Sequence, residues 1–219
     1  MNGPADSREF ARRAAAWTDR EISSEQLSLL DQYADWLKRE AIPAGGLGPR
    51  EGERIWSRHL ADSLLFAAGW PQEAPDEVLD VGTGVGLPGI PLSILWPETR
   101  ITLLDRGGRR VRLLYRAVRM LALTNVLVAQ GDAFAVTDEW PGIVARGALR
   151  APEMVGLSAR LLAPGGCAVV GLSRQATPPE HTRDLMGIAE TLGLSPELVE
   201  APSDILDGPA WILIMRRSG

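Results

Sequence analysis

The stretch Val78–Pro91, VLDVGTGVGLPGIP, constrains the fold of this chain more than any other. A short apolar run ends at Asp80 and Val81, and glycines follow at positions 82, 84, 86 and 89. A run this short, flanked by glycine, reads as a buried strand rather than a helix. The glycines let the backbone turn sharply at the strand end and leave room for a ligand where a Cβ would collide. Further short apolar runs recur as RITLLD, NVLVAQ, GIVAR, CAVVGLS and AWILIMR, with amphipathic or mixed segments between most of them. That alternation predicts an α/β fold, a mostly parallel sheet with helices on both faces. Ligands of such sheets lie outside the carboxyl ends of the strands, so the residues just after each run are the ones to weigh.

Two cofactor classes use a glycine loop of this kind. The dinucleotide pattern G-x-G-x-x-G, counted from Gly82, needs glycine at position 87, which is leucine; counted from Gly84 it reaches Gly89 but includes Pro88 and starts two residues late. The pattern acidic-x-Gly-x-Gly-x-Gly is met by Asp80, Gly82, Gly84 and Gly86, with Thr83 between, and resembles the cofactor loop of class I S-adenosylmethionine-dependent methyltransferases. The second strand ends on Asp105, an acceptor for ribose hydroxyls in either class. The third leads into Gly131-Asp132-Ala133-Phe134, where Asp132 supplies an acceptor and Ala133 and Phe134 apolar contacts for an adenine. The bland alternative is a strand-to-helix turn whose acids only cap helices.

Ahead of this unit, two helices are expected, Asp6 to about Arg20 and Ser24 to about Glu40. Ser23 and Gln26 have capping-box spacing, and Leu27, Leu30, Ala34 and Leu37 form an apolar stripe. The segment AIPAGGLGPREGER breaks the helical pattern. The chain therefore divides into a helical cap and Gly/Pro-rich loop over residues 1–54 and a cofactor-binding domain over 55–219.

With 219 residues and 45% hydrophobic content, one well-packed soluble domain is expected. No apolar run approaches the roughly 18 residues a membrane span needs, and the N-terminus has no signal-type segment, so the expected setting is cytoplasmic. One cysteine and two histidines give no metal-ligand spacing. A net charge of −5 argues against a wholly basic nucleic-acid binder but permits a local basic face. Arg109, Arg112, Arg116 and Arg119 form such a face at helical spacing, with Arg110 beside it, while Val111, Leu114, Val118 and Leu121 face the other way. The stripe suits an RNA backbone, or is a solvated helix face paired with acids. The tryptophans Trp17, Trp36, Trp56, Trp70 and Trp96 read as packing residues.

RHLADSL (Arg58–Leu64), DVGTGVGLPGIPLSILWPE (Asp80–Glu98), LLDRGGRRVRLL (Leu103–Leu114) and Ala145-Arg146 resemble segments of the bacterial 16S ribosomal RNA guanine-N7 methyltransferases, the glucose-inhibited division protein B family, in the same order and at similar spacing. The resemblance implies a Rossmann-like methyltransferase with S-adenosylmethionine as cofactor, and ribosomal RNA or the small ribosomal subunit as partner. It implies that Gly82 and Leu87 touch the cofactor, that Ala133 and Phe134 flank its adenine, and that Arg146 sits beside cofactor and target. Several positions depart from the family. Phe134 stands where an acid is common, and the Trp-Asn and Asn-Leu-Thr signatures fall on Glu40-Ala41 and Gly45-Gly46-Leu47. Leu-Lys-Gly falls on Gly171-Leu172-Ser173, leaving Arg174 as the nearby cation. These changes spare the cofactor half and alter the substrate side.

Methyl transfer from a sulfonium is an in-line displacement that needs alignment rather than a covalent nucleophile, and guanine N7 carries no proton for a base to remove. Arg146, the expected catalytic residue, is a cation at the end of the fourth strand, suited to phosphate, carboxylate or guanine, or else to a salt bridge. His59 either reaches the substrate or is a satisfied structural group beside Leu60 and Leu64. His59, Arg109, Arg110 and Arg174 are the expected substrate contacts. Two other readings stay open, a methyltransferase acting on a small nitrogen heterocycle and a non-catalytic RNA-binding or assembly protein.

Overall fold

The computed structural model describes residues 7–173, 177–201, 203–206 and 208–219. Seven strands form one sheet: β1 (Glu77–Val81), β2 (Arg100–Asp105), β3 (Val126–Gln130), β4 (Trp140–Arg146), β5 (Leu162–Ser173), β6 (Leu194–Ala201) and β7 (Ala210–Arg217), in the spatial order β3-β2-β1-β4-β5-β7-β6. The first five run parallel, and β7 is antiparallel to both of its neighbours. The strand order reverses between β1 and β4, which places the ligand crevice above the ends of those two strands.

The sheet is buried on both faces, and alternate residues of each strand feed different cores. Val78, Ile101, Leu103 and Val144 join one apolar cluster, whereas Leu79, Leu104, Ile143 and Ala145 join the other; this is the period of two expected of a pleated strand. The first cluster takes in α1 (Arg8–Trp17), α2 (Ser24–Trp36), α3 (Ala61–Leu64), α4 (Gly89–Leu95) and α5 (Gly108–Met120). The second takes in α6 (Ala151–Leu161) and α7 (Thr182–Thr191).

The N-terminal helices share the core of the sheet rather than standing apart from it. Ser23 caps α2 as its spacing predicts: its hydroxyl accepts from Gln26 N at 3.2 Å, and its own N–H donates to Gln26 Oε1 at 2.8 Å. Leu27, Leu30, Ala34 and Leu37 are all buried. The first helix ends earlier than expected, whereas the second reaches its expected end once its π-helical last turn is counted. α1 stops at Trp17, and Asp19 (φ 56°) takes the left-handed conformation that ends a helix. α2 ends at Trp36 and continues as a π-helical turn over Leu37–Ala41. A second π-helical turn, Ile55–Leu60, carries Arg58 and His59 into α3; such turns are often found at functional sites.

The strand β6 is an addition to the six runs visible in the sequence. It pairs only with β7 and contains Pro196, and an edge strand is where proline is tolerated. Its mixed burial gives it no apolar run to recognise. Among the described residues no helix is long and apolar enough to cross a membrane, and no group of three or more His, Cys, Asp or Glu could hold a metal ion.

Candidate functional site

A cleft of about 400 Å³ opens above the carboxyl ends of β1, β2 and β4, within the range of ligand sites. Its floor is the glycine loop. Thr83 N–H donates to Leu104 O at 3.1 Å, and the amides of Gly86 and Leu87 donate to Thr83 O at 3.0 Å each, so the loop is a tight, hydrogen-bonded turn. Gly82 and Gly84 have φ near +63° and +66°. A Cβ on Gly82 would lie 2.5 Å from Ala148 Cβ, whereas at Gly84 the nearest atom is 4.0 Å away. Gly84 thus presents open backbone to the cleft, a cradle that a larger side chain would fill. Thr83 and Leu87 also line it.

Asp80 and Gly86, both expected to touch the cofactor, lie behind the loop instead; neither lines the cleft. Asp80 is fully buried, and its Oδ2 accepts from Thr83 Oγ1 at 2.6 Å and from Gly89 N at 2.7 Å. Burial raises its carboxyl from 3.8 to about 7, against the hydrogen bonds from Thr83 and Gly89 that favour the charged form. Asp80 therefore braces the turn from below. A Cβ on Gly86 would meet Ile90 Cδ1 at 2.4 Å and Tyr33 Oη at 3.0 Å, so protein rather than ligand demands glycine there.

Asp105 ends β2 inside the cleft, as its place in the sequence predicts. Its Oδ1 accepts from Gly107 N at 2.7 Å and its Oδ2 from Gly84 N at 3.1 Å. Arg110 Nε sits 3.0 and 2.9 Å from the two oxygens. Arg110, expected on the substrate side, lines this cleft beside Asp105, because it lies in the first turn of α5, which follows the strand end directly. Gly131, Asp132, Ala133 and Phe134 line the third edge, where Asp132 Oδ1 accepts from Phe134 N at 2.9 Å and Phe134 is half exposed.

Gly46 and Leu47 also line the cleft, from the loop before the sheet. Gly46 packs so closely that a Cβ would lie 2.4 Å from Val85 Cγ1. Nothing local in the sequence marks these two, although the family's Asn-Leu-Thr signature falls on them. Gly147, Ala148 and Leu149, after β4, complete the rim; the rule of strand ends would have found them.

Arg146 lines this cleft and also a second cavity of about 250 Å³, to which Arg58, His59, Asp62, Phe66, Gly147, Leu172 and Trp211 contribute. Arg146 Nη1 donates to Asp62 Oδ2 at 2.9 Å and approaches His59 O at 3.4 Å. Arg146 is thus salt-bridged and at the same time lines both cavities. His59 is buried, with Nε2 at 2.9 Å from Glu51 Oε2. Burial and the Arg146 charge lower it from 6.5 to about 4, so it is neutral at physiological pH. Arg109 lines neither cavity. With Arg112, Arg116 and Arg119 it lies on the exposed face of α5, where Arg116 pairs with Glu40 at 2.5 Å. Arg174 lies outside the described residues.

The donor set of the larger cleft fits an adenosyl ligand: an open glycine backbone, a carboxylate at the second strand end and an apolar turn at the third. Comparison with known proteins agrees. Residues 26–177 match the family model of rRNA small subunit methyltransferase G (GidB). The ribosomal RNA small subunit methyltransferase G of Mycobacterium marinum is 31% identical over 201 residues, which cover 90% of this chain and 86% of that protein. Among solved structures, a methyltransferase from Pyrococcus furiosus superposes with a TM-score of 0.60 at 13% identity, over 73% of this chain and 83% of that one. The fibrillarin of Aeropyrum pernix, solved with natively bound S-adenosyl-L-methionine, superposes with a TM-score of 0.52 at 21% identity, over 65% and 67%. At these identities the two structures speak for the fold, a Rossmann-like methyltransferase.

Proposed function

Since the chain belongs to the rRNA small subunit methyltransferase G family, we propose that it binds S-adenosylmethionine in the larger cleft and methylates small-subunit ribosomal RNA, at guanine N7, in the cytoplasm. The observation that carries this reading is the meeting of two cavities at Arg146: one with the donor set of an adenosyl site, the other walled by ionic and aromatic side chains.

The cofactor supplies a methyl group activated by a sulfonium. The protein's part is to hold and align. Gly82, Thr83, Gly84 and Leu87 would carry the amino-acid and sugar portion, with Asp105 accepting from ribose hydroxyls. Asp132, Ala133 and Phe134 would bracket the adenine. Arg146, fixed by Asp62, would hold the acceptor at the junction, and so supply the near-attack geometry on which such a displacement depends. Neutral His59 spends its one N–H on Glu51, and N7 carries no proton for a base to remove, so its role is to brace Glu51 and the π-helical turn. The base would enter the second cavity only when flipped out of its stack. Arg109 and the exposed arginines of α5 would meet the RNA backbone.

The test is methyl transfer from labelled cofactor to unmethylated small ribosomal subunits, to naked ribosomal RNA and to a panel of small nitrogen heterocycles. Label is expected in subunits or RNA, falling as salt is raised, and lost by at least a hundredfold in a folded Arg146→Ala variant. Transfer to a small heterocycle with none to RNA would overturn the ribosomal substrate.

A further inference from the structure

We infer that the Arg146–Asp62 pair reads the acceptor base, presenting a hydrogen-bond donor beside an acceptor that match guanine O6 and N1–H and reject adenine; the inference rests on the function proposed above. The two groups are locked together, Nη1 to Oδ2 at 2.9 Å, with side chains only 19% and 11% exposed. Both line the second cavity, and Arg146 lines the cofactor cleft as well. Arg146, with its neighbour Gly147, is shared by the second cavity and the cofactor cleft, and Asp62 stands beside it on the side of the second cavity.

Guanine carries an acceptor, O6, and a donor, N1–H, on adjacent ring positions, with the N2 amino group next in line. Adenine reverses the order, with an amino donor at position 6 and a bare lone pair at N1. Against a guanidinium beside a carboxylate, guanine makes charge-assisted bonds with both. Adenine would turn an amino group toward a cation and a lone pair toward an anion, in a buried setting where such mismatches are costly. The order of atoms also fixes the orientation. O6 neighbours N7, so a base held with O6 on Arg146 keeps N7 close to Arg146, which also lines the cofactor cleft.

The remaining walls agree with a planar heterocycle. Phe66, Trp211 and Leu172 contribute largely buried apolar side chains to them, and aromatic side chains are usual where an unstacked base is received. Arg58, paired with Glu51 at 3.3 Å, adds a second cation to the lining, and His59 is neutral, so Asp62 supplies the carboxylate beside Arg146.

The experiment uses the full chain and small subunits, or a target-bearing RNA, in which the acceptor nucleotide is guanosine, inosine, 2-aminopurine or adenosine. Inosine keeps O6 and N1–H and should be methylated within about tenfold of guanosine, the loss of one amino contact. 2-Aminopurine and adenosine, which lack both features, should fall by at least a hundredfold although each retains N7. Asp62→Asn should lower kcat/KM on guanosine RNA by about tenfold to a hundredfold, with cofactor affinity unchanged by calorimetry. A folded, cofactor-binding Asp62→Asn enzyme with the parental rate would overturn the inference, as would 2-aminopurine serving as well as guanosine. Should Asp62→Asn fail to fold, the four bases on the parent enzyme decide alone. No transfer by the parent to any guanosine-bearing RNA would overturn the proposed function and this inference with it, an outcome distinct from transfer that ignores Asp62.

Discussion

Arg110 Nε lies 3.0 and 2.9 Å from the two carboxylate oxygens of Asp105, which also accept from the amides of Gly107 and Gly84. A carboxylate has about four lone-pair positions, so ribose hydroxyls must displace one of these donors, and the side chain moves more readily than the backbone. Asp105→Ala is expected to weaken S-adenosylmethionine binding by about tenfold or more, the scale of hydrogen bonds to a charged group. Arg110→Ala removes the competitor and should leave affinity unchanged or tighter. Calorimetric titration of both variants checks this; a weakened Arg110→Ala would mean that the arginine itself holds the ligand.

Two glycines of the loop should fail for different reasons. Gly84→Val places a branched side chain in the open cleft at φ +66°, costing about 1–3 kcal/mol of backbone strain and abolishing cofactor binding. Gly86→Ala drives a methyl group into Ile90 and Tyr33. It should lower stability by about 1–3 kcal/mol through overpacking, yet leave the cofactor site of the folded fraction intact. Denaturant melts read beside cofactor titrations separate the two.

The buried titrating groups set opposite pH slopes. Asp80 keeps its proton in the folded state up to about 7, whereas the unfolded chain releases it near 3.8, so its contribution to stability is lost as pH rises across that interval. His59 stays neutral in the folded state down to about 4, whereas the unfolded chain takes up a proton near 6.5, so stability is lost as pH falls across that range. Relative to the parent, Asp80→Asn should gain thermal stability from pH 4 to 8, and His59→Gln should gain it from pH 7 to 4. Melting temperatures measured across the series check both, and an offset independent of pH would count against either assignment.

Much of this architecture can be read from the chain, because the cues are local. The glycines after Val81, the acid closing β2 and the capping box at Ser23 each fix their own neighbourhood. What cannot be read locally is which way a residue faces once other elements arrive. Asp80 and Gly86 belong to the same motif as Gly84, yet Tyr33 and Ile90 pack behind the loop and turn Gly86 from a ligand contact into a packing site. The pairing of Arg146 with Asp62 spans 84 residues. β6 lacks an apolar run because an edge strand has little to bury.

Tyr33 donates to Val85 O at 2.8 Å from within the core. Tyr33→Phe leaves that carbonyl without its partner and should cost about 1–3 kcal/mol, with a weaker cofactor site as a second effect because Val85 belongs to the loop. Thermal melts and cofactor titration of the variant check this; an unchanged melting temperature would show that the bond adds nothing.

The contact of Gly46 with Val85, together with the Tyr33 bond, ties the N-terminal segment to the floor of the cleft. A ligand that stills residues 82–87 must therefore also slow the breathing of residues 33–47. In amide exchange, protection gained on filling the cleft will spread into the first helices of the chain, so the cap reports whether the cleft is occupied.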